Sequence, residues 1–204
     1  MGCSGCFACA GAVVFLAAIR AQVFGLALAN AGLRQSAARL RFLATFCFGA
    51  GLLNGWSESG KRPEFSVVIG VSTGSLMAPY AFIGPSQDPG LKRAYTEYNA
   101  GDIFEDVKTP ESLVDTWPLK RLIAKEVTPE LLAQVAEGYK RGRRLFVATT
   151  NLDAQRGVVW NMGAIAAKGD EASLKLFRDV LAASTAIPGL FPPEIGRASC
   201  RERV

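Results

Sequence analysis

The chain has 204 residues, of which 50% are hydrophobic and 20% are charged, and it contains no histidine. This length and apolar content are typical of one domain with a substantial core. The net charge of +5 comes from the two ends, because residues 1–57 hold four arginines and no acidic residue, and residues 195–204 hold three arginines and one glutamate. A near-neutral body argues against nucleic-acid binding, which needs a basic face on the folded domain.

The first 47 residues differ in composition from the rest of the chain. They are rich in alanine, glycine and leucine, and residues 7–19 are uncharged and apolar. Thirteen residues are too few to span a bilayer, but they would suit the hydrophobic core of a secretory signal or an anchor. However, no positive charge precedes them, as a secretory signal would require. The alternative is that residues 1–47 are translated out of frame. We therefore expect residues 1–47 to form an atypical segment outside the domain.

The cysteines lie in the terminal segments and not in the body between residues 58 and 194. The absence of cysteine from this body excludes a disulfide framework there. Three of the thiols share an iron–sulfur-like spacing but lack a fourth at suitable spacing, so we predict no metal and no other cofactor. The five are Cys3, Cys6, Cys9, Cys47 and Cys200.

Strand-like and helix-like segments alternate along the body of the chain. Such alternation favours a three-layer α/β fold, a sheet with helices on both faces. A basic cluster at residues 140–144 is predicted to be a solvated corner rather than a phosphate-binding patch. Glycine and proline predict turns at Gly84-Pro85 and at Asp88-Pro89-Gly90. The predicted strands are Phe65–Ile69, Leu145–Thr150 and Gly157–Asn161; the predicted helices are Gly49–Ser57, Ser75–Phe82, Leu91–Tyr98, one from Thr109, Leu119–Glu126, Pro129–Tyr139 capped by Thr128, and Glu171–Ala183.

The pentapeptide Gly70-Val71-Ser72-Thr73-Gly74 lies between a predicted strand and a predicted helix. A serine flanked by small residues at this junction is typical of the nucleophile elbow, a tight turn that exposes the serine hydroxyl. We expect Gly70 and Gly74 to be required because a Cβ at either position would meet the neighbouring elements. A structural glycine-rich turn is the alternative interpretation.

The missing histidine restricts the chemistry of this serine. A serine hydroxyl needs a base to take its proton, and histidine is the usual one. The sequence therefore predicts either a Ser–Asp dyad or a motif without catalytic function. Asp153 follows a predicted strand, although capping of its own loop is the commoner role for such a residue. None of the aspartates of the body is a convincing partner on sequence grounds: Asp88, Asp102, Asp106, Asp115, Asp153, Asp170 and Asp179.

Four stretches of residues 48–193 resemble the bacterial type of the patatin-like phospholipases, in that family's order. They are Gly49–Leu53, Gly70–Gly74, Val147–Asp153 and Ala183–Pro193. The resemblance implies a three-layer α/β/α sandwich and a lipid acyl hydrolase with a Ser–Asp dyad, in which Ser72 attacks the ester and forms an acyl-enzyme. It also implies a lipid or acyl-ester substrate and contact with a membrane surface. Oligomeric state and localisation, cytoplasmic or cell-envelope, stay open.

The chain departs from the family pattern at two functional places. The family's aspartate, in Asp-Gly-Gly or Asp-Gly-Ala, follows the Pro192-Pro193 segment, and no such sequence occurs here. The Gly-Gly-Gly loop that supplies the family's oxyanion hole is replaced by Phe42–Cys47. Residues 195–204 break sharply from the preceding sequence and match the translation of a common sequencing adaptor. We therefore expect an incomplete sandwich that is truncated before the catalytic aspartate and inactive.

Two other functional classes compete with the hydrolase. A non-catalytic lipid-binding or scaffold protein could retain the fold without its machinery. An acyltransferase also uses a nucleophile elbow, but it normally needs a histidine and is therefore disfavoured.

Overall fold

The computed structural model describes residues 48–97 and 117–186. The chain divides into two units, Met1–Gly51 and Leu52–Val204, and all the described residues except 48–51 belong to the second. The predictions for the N-terminal segment, the five cysteines, the helix from Thr109 and the C-terminal tail fall outside the described residues.

The described residues contain both helices and strands, as an α/β fold requires. Residues 48–58 are helical. The further elements, in chain order, are β1 (Val67–Val71), α1 (Thr73–Ile83), a 3₁₀ turn (Pro85–Gln87), α2 (Asp88–Thr96), α3 (Trp117–Glu126), α4 (Pro129–Lys140), β2 (Arg144–Asn151), β3 (Arg156–Asn161), α5 (Met162–Ala166) and α6 (Glu171–Thr185). No helix within the described ranges is long and apolar enough to cross a bilayer.

The three strands seen in the described residues form one mixed sheet in the order β1-β2-β3. β1 and β2 are parallel, with Val67 opposite Arg144 and Val71 opposite Ala148. β2 and β3 are antiparallel and form a hairpin, with Asn151 opposite Arg156. Because β1 and β2 run in the same direction, their carboxyl ends lie at the same edge of the sheet.

One face of this sheet forms the core of the described domain. α1 packs against β1 and β2, while α4, α5 and α6 pack against β2. Leu145 and Val147 of β2 are fully buried, as are Phe82 of α1 and Phe177 of α6. Burial of side chains of this size contributes about 1.5–3 kcal/mol each, so these contacts fix the helices on the sheet.

Most helices and strands lie where the sequence pattern placed them. The cap of α4 is confirmed, because the Thr128 hydroxyl accepts a hydrogen bond from the Leu131 N–H at 3.3 Å, and Pro129 opens the helix. α1 begins two residues earlier than predicted, and Pro79 lies inside it. α5, a helix of five residues capped by Asn161, was not predicted.

The predicted turn at Asp88-Pro89-Gly90 is wrong. These residues form the first turn of α2, which the sequence placed from Leu91. Proline is compatible with this position because the first N–H groups of a helix have no partner inside it. The Asp88 carboxylate lies at the positive end of the helix dipole and pairs with the buried Arg62 guanidinium at 2.6 Å.

The prediction that the basic cluster is a solvated corner is wrong for Arg143. This residue is only 8% exposed. Its guanidinium donates to the carbonyls of Phe65, at 2.8 Å, and of Phe82, and it pairs with Glu64 at 2.7 Å. It also lies 4.3 Å from the centre of the Phe82 ring. Arg143 therefore joins the segment before β1 to the end of α1.

Replacing Arg143 by alanine is expected to lower the free energy of unfolding by about 2–3 kcal/mol, because two carbonyls lose a charged donor. Arg141→Ala is the matched control, since Arg141 carries the same charge and approaches the same Glu64, at 3.7 Å, from an exposed position. The control is expected to cost less than about 0.5 kcal/mol. Urea denaturation measures both variants, and equal losses would contradict the structural role of Arg143.

Candidate active site

Ser72 lies at a sharp turn between β1, which ends at Val71, and α1, which begins at Thr73. The strand and helix predicted on its two sides are thus confirmed. The backbone dihedrals of Ser72 are φ 54° and ψ −127°. A positive φ is unusual for a residue with a side chain and costs about 1–3 kcal/mol, and such strained residues concentrate at functional sites. The catalytic role of Ser72 stays a prediction.

The two glycines of the motif differ in their surroundings. A Cβ on Gly70 would lie 2.7 Å from the Ser75 Cα and 2.8 Å from both the Ala78 Cβ and the Gly74 carbonyl oxygen. Gly70 therefore lets α1 approach β1 closely. A Cβ on Gly74 meets no atom of the described residues within 4 Å. The expectation that neighbouring elements leave no room for a Cβ is confirmed for Gly70. It is wrong for Gly74 as far as the described residues are concerned, because they leave room for a Cβ there.

Ser75, in the first turn of α1, donates two hydrogen bonds to the carbonyl oxygen of Ser72. It is fully buried. Its N–H donates to the Ser72 carbonyl oxygen at 2.9 Å, and its hydroxyl donates to the same oxygen at 2.5 Å. Two donors on one oxygen orient the peptide group that follows Ser72. This role of Ser75 was not predicted from the sequence.

The Ser72 N–H is bound from a distant part of the chain. It donates to the Ser184 Oγ of α6 at 2.9 Å, and that hydroxyl donates to the carbonyl of Ala148 in β2 at 2.7 Å. Both backbone polar groups of Ser72 therefore have partners from α1 and α6. Sequence reasoning gave Ser184 no function, although it lies in the distinctive Ala183–Pro193 stretch and that stretch was the available signal.

Two of the aspartates weighed as bases have structural partners. Asp88 is paired with Arg62, as described above. Asp179 is exposed and pairs with Lys175 of the same helix at 2.6 Å. Neither carboxylate is directed to Ser72 by these contacts.

Asp170 also has a structural role, as the N-cap of α6. It accepts a hydrogen bond from the Ser173 N–H at 2.6 Å, and hydrogen bonding from Ser173 lowers the pKa of its carboxyl. Ser184 is fourteen positions further along the chain, which is about 20 Å along the helix axis. Asp170 is therefore remote from Ser72.

Asp153 lies at the exposed tip of the β2–β3 hairpin. The side chain that closes this tip is Asn151, whose Oδ1 accepts from the Ala154 N–H at 2.9 Å. Beyond Ala148, β2 continues for three residues before the tip begins, about 10 Å of extended chain. The role of Asp153 as a base stays a hypothesis, and Asp102, Asp106 and Asp115 lie outside the described residues.

The start of α1 provides a polar environment suited to a developing negative charge. The first N–H groups of a helix lack acceptors within it, and the helix dipole makes this end positive. No acidic residue occupies the first turn of α1. Within the two described ranges, no group of three or more histidine, cysteine, aspartate or glutamate residues could hold a metal.

The contrast between the two glycines gives a direct test of the turn. Gly70→Ala is expected to lower the free energy of unfolding by at least about 2 kcal/mol, because the new Cβ meets backbone atoms that cannot move independently. Gly74→Ala is expected to be neutral or stabilising by up to about 1 kcal/mol, since alanine favours the helix. Urea denaturation of the two variants, which add the same methyl group, measures the difference. Equal effects would refute the close approach of α1 to β1 at Gly70.

No curated protein and no solved structure matches the chain. The family model described as patatin-like phospholipase matches residues 43–197. This range includes the Ser72 turn, Ser184 and all the described strands, and it extends slightly beyond residues 48–193, where the resemblance was seen. The chain belongs to the patatin-like phospholipase family.

Proposed function

We propose that this chain is a serine lipid acyl hydrolase in which the Ser72 Oγ attacks an ester carbonyl. The base takes the Ser72 hydroxyl proton and passes it to the alkoxy group, which leaves as an alcohol. The acyl group stays on Ser72, and water then releases it as a carboxylic acid. The observation that carries the proposal is the positive φ of Ser72 at a strand-to-helix turn, inside the region matched by the family model.

The surroundings of Ser72 suit the anionic intermediate of this reaction. As the ester carbonyl becomes tetrahedral, its oxygen gains negative charge, and preorganised N–H groups stabilise it. The N–H of Thr73, the residue after the nucleophile, is one donor that elbows of this kind use. The positive end of α1 supports the same charge. The residues that replace the family's glycine-rich loop, Phe42–Cys47, lie outside the described residues.

The base in this proposal is an aspartate, which forms a Ser–Asp dyad as in the family. The Asp-Gly-Gly or Asp-Gly-Ala sequence that carries this aspartate is not among the 204 residues. Asp88, Asp170 and Asp179 are engaged elsewhere. The 204 residues therefore contain the nucleophile without the family's aspartate sequence, and we propose that this chain is nearly inactive unless a carboxylate base is added.

The exposed face of the sheet supports the proposed three-layer fold. On the side away from α1, apolar residues of the two outer strands, β1 and β3, lie on the same face of the sheet. Val67 is 54% exposed, Ile69 58% and Val159 57%. Sheets with parallel strands are normally covered on both faces. A second helical layer would complete the α/β/α sandwich.

The substrate class follows from the family. Patatin-like phospholipases act on lipids, so we propose a lipid or other acyl ester, met at a membrane surface. The non-catalytic alternative, a lipid-binding or scaffold protein, makes the opposite prediction about the reactivity of Ser72.

A fluorophosphonate probe tests the proposal, because it reacts with an activated serine hydroxyl. We expect slow labelling of the 204-residue chain, acceleration by added acetate as an external carboxylate base, and complete loss in Ser72→Ala. Intact mass and peptide mapping identify the labelled residue.

Ser86→Ala is the matched control, since Ser86 is exposed in the 3₁₀ turn after α1 and carries the same hydroxyl. It should label as the unmodified chain does. Absence of labelling with and without acetate, in chain shown to be folded by circular dichroism, would overturn the hydrolase proposal and favour the non-catalytic alternative.

A further inference from the structure

Ser184 connects three elements through one hydroxyl group. It lies on α6, and 112 residues separate it from Ser72 in the sequence. Its Oγ accepts from the Ser72 N–H at 2.9 Å and donates its own proton to the Ala148 carbonyl at 2.7 Å. The turn after β1, the middle of β2 and α6 therefore meet at this side chain.

The position of this hydroxyl follows from the register of the sheet. In a parallel ladder with Val71 opposite Ala148, the next regular bond would run from the Ser72 N–H to the Ala148 carbonyl. Ser72 turns out of the strand at this point, with φ 54°. The Ser184 hydroxyl stands between the two groups and satisfies both, so it replaces the last rung of the ladder.

The neighbouring residue shows that this arrangement is specific to Ser184. Serine and threonine hydroxyls within helices commonly bond to a carbonyl of the preceding turn. Thr185 does so, since its hydroxyl donates to the Leu181 carbonyl at 3.2 Å and the Ala182 carbonyl at 2.8 Å. The Ser184 hydroxyl instead reaches out of α6 to the sheet.

We propose that Ser184 is a positioning residue for the nucleophile Ser72. Its hydroxyl holds the Ser72 backbone in the strained turn. This inference rests on the proposed function of Ser72. The hydroxyl has one proton, which it gives to Ala148, so its acceptor side is directed at the Ser72 N–H. Without it, the N–H and the Ala148 carbonyl lose their partner, and the turn is free to relax away from the geometry that presents the nucleophile.

The expected effect of Ser184→Ala is an acylation rate at Ser72 that falls about tenfold to a hundredfold, as for other misplacements of a reacting group. Ser184→Thr retains the hydroxyl and should recover most of the rate. Thr185→Val is the matched control, because it removes a buried hydroxyl from the next residue of the same helix without touching the Ser72 turn. It should acylate at the rate of the unmodified chain even where its melting temperature falls.

The experiment combines two measurements on the full 204-residue chain. The first is the rate of fluorophosphonate labelling at Ser72, in acetate, for the unmodified chain and the three variants. The second is amide hydrogen exchange at the Ser72 N–H, followed by NMR on ¹⁵N-labelled protein. We expect protection of this amide in the unmodified chain, in Ser184→Thr and in Thr185→Val, and its loss in Ser184→Ala.

The two measurements separate the inference from the function on which it rests. Equal labelling of Ser184→Ala and the unmodified chain overturns the positioning role while the hydrolase proposal stands. If neither the unmodified chain nor any variant is labelled, the hydrolase proposal fails, and amide exchange alone tests the hydroxyl bridge. In that case, a Ser72 amide that exchanges equally in the unmodified chain and in Ser184→Ala overturns the hydroxyl bridge as well, whereas selective loss of protection supports it.

Discussion

The backbone of Ser72 is the constraint on which the site depends. A residue with a side chain at φ 54° is strained, and it stays in that conformation only where its surroundings determine it. Here three neighbours do so. Gly70 lets α1 lie against β1, Ser75 binds the Ser72 carbonyl from α1, and Ser184 binds its N–H from α6. The strain is thus balanced by contacts from both sides of the turn.

The same arrangement relates the fold to the proposed chemistry. β1 and β2 end at one edge of the sheet, and Ser72, the start of α1 and the β2–β3 hairpin all lie at that edge. Of the described aspartates, Asp88 is engaged in an ion pair, Asp170 in a helix cap and Asp179 in a surface pair, while Asp153 lies exposed at the hairpin tip. The described residues therefore provide the strained turn at Ser72 and the positive end of α1, while Asp88, Asp170 and Asp179 are held away from a role as the base of the proposed dyad.

Local patterns in the sequence predicted the helices and strands around the site. The roles of residues whose partners lie far away in the sequence were not predicted. The apolar run before Gly70 and the cap at Thr128 are local signals, and both led to correct elements. Arg143 was misassigned because its partners, Phe65 and Phe82, are about 60 to 80 residues away, and charge alone indicated solvent. Ser184 was missed for the same reason. Asp88-Pro89-Gly90 has the composition of a turn, but the partner of Asp88 is Arg62, which helps to hold these residues at the start of a helix.

The most direct test of the strained turn is the difference in unfolding free energy between Ser72→Gly and Ser72→Ala. Both variants remove the same hydroxyl, so its contacts cancel in the comparison. At an ordinary φ, glycine is less stable than alanine by about 0.5–1 kcal/mol. At φ 54° the order reverses, and the account predicts that Ser72→Gly is the more stable by about 1–2 kcal/mol. A glycine variant that is less stable than the alanine variant would contradict it.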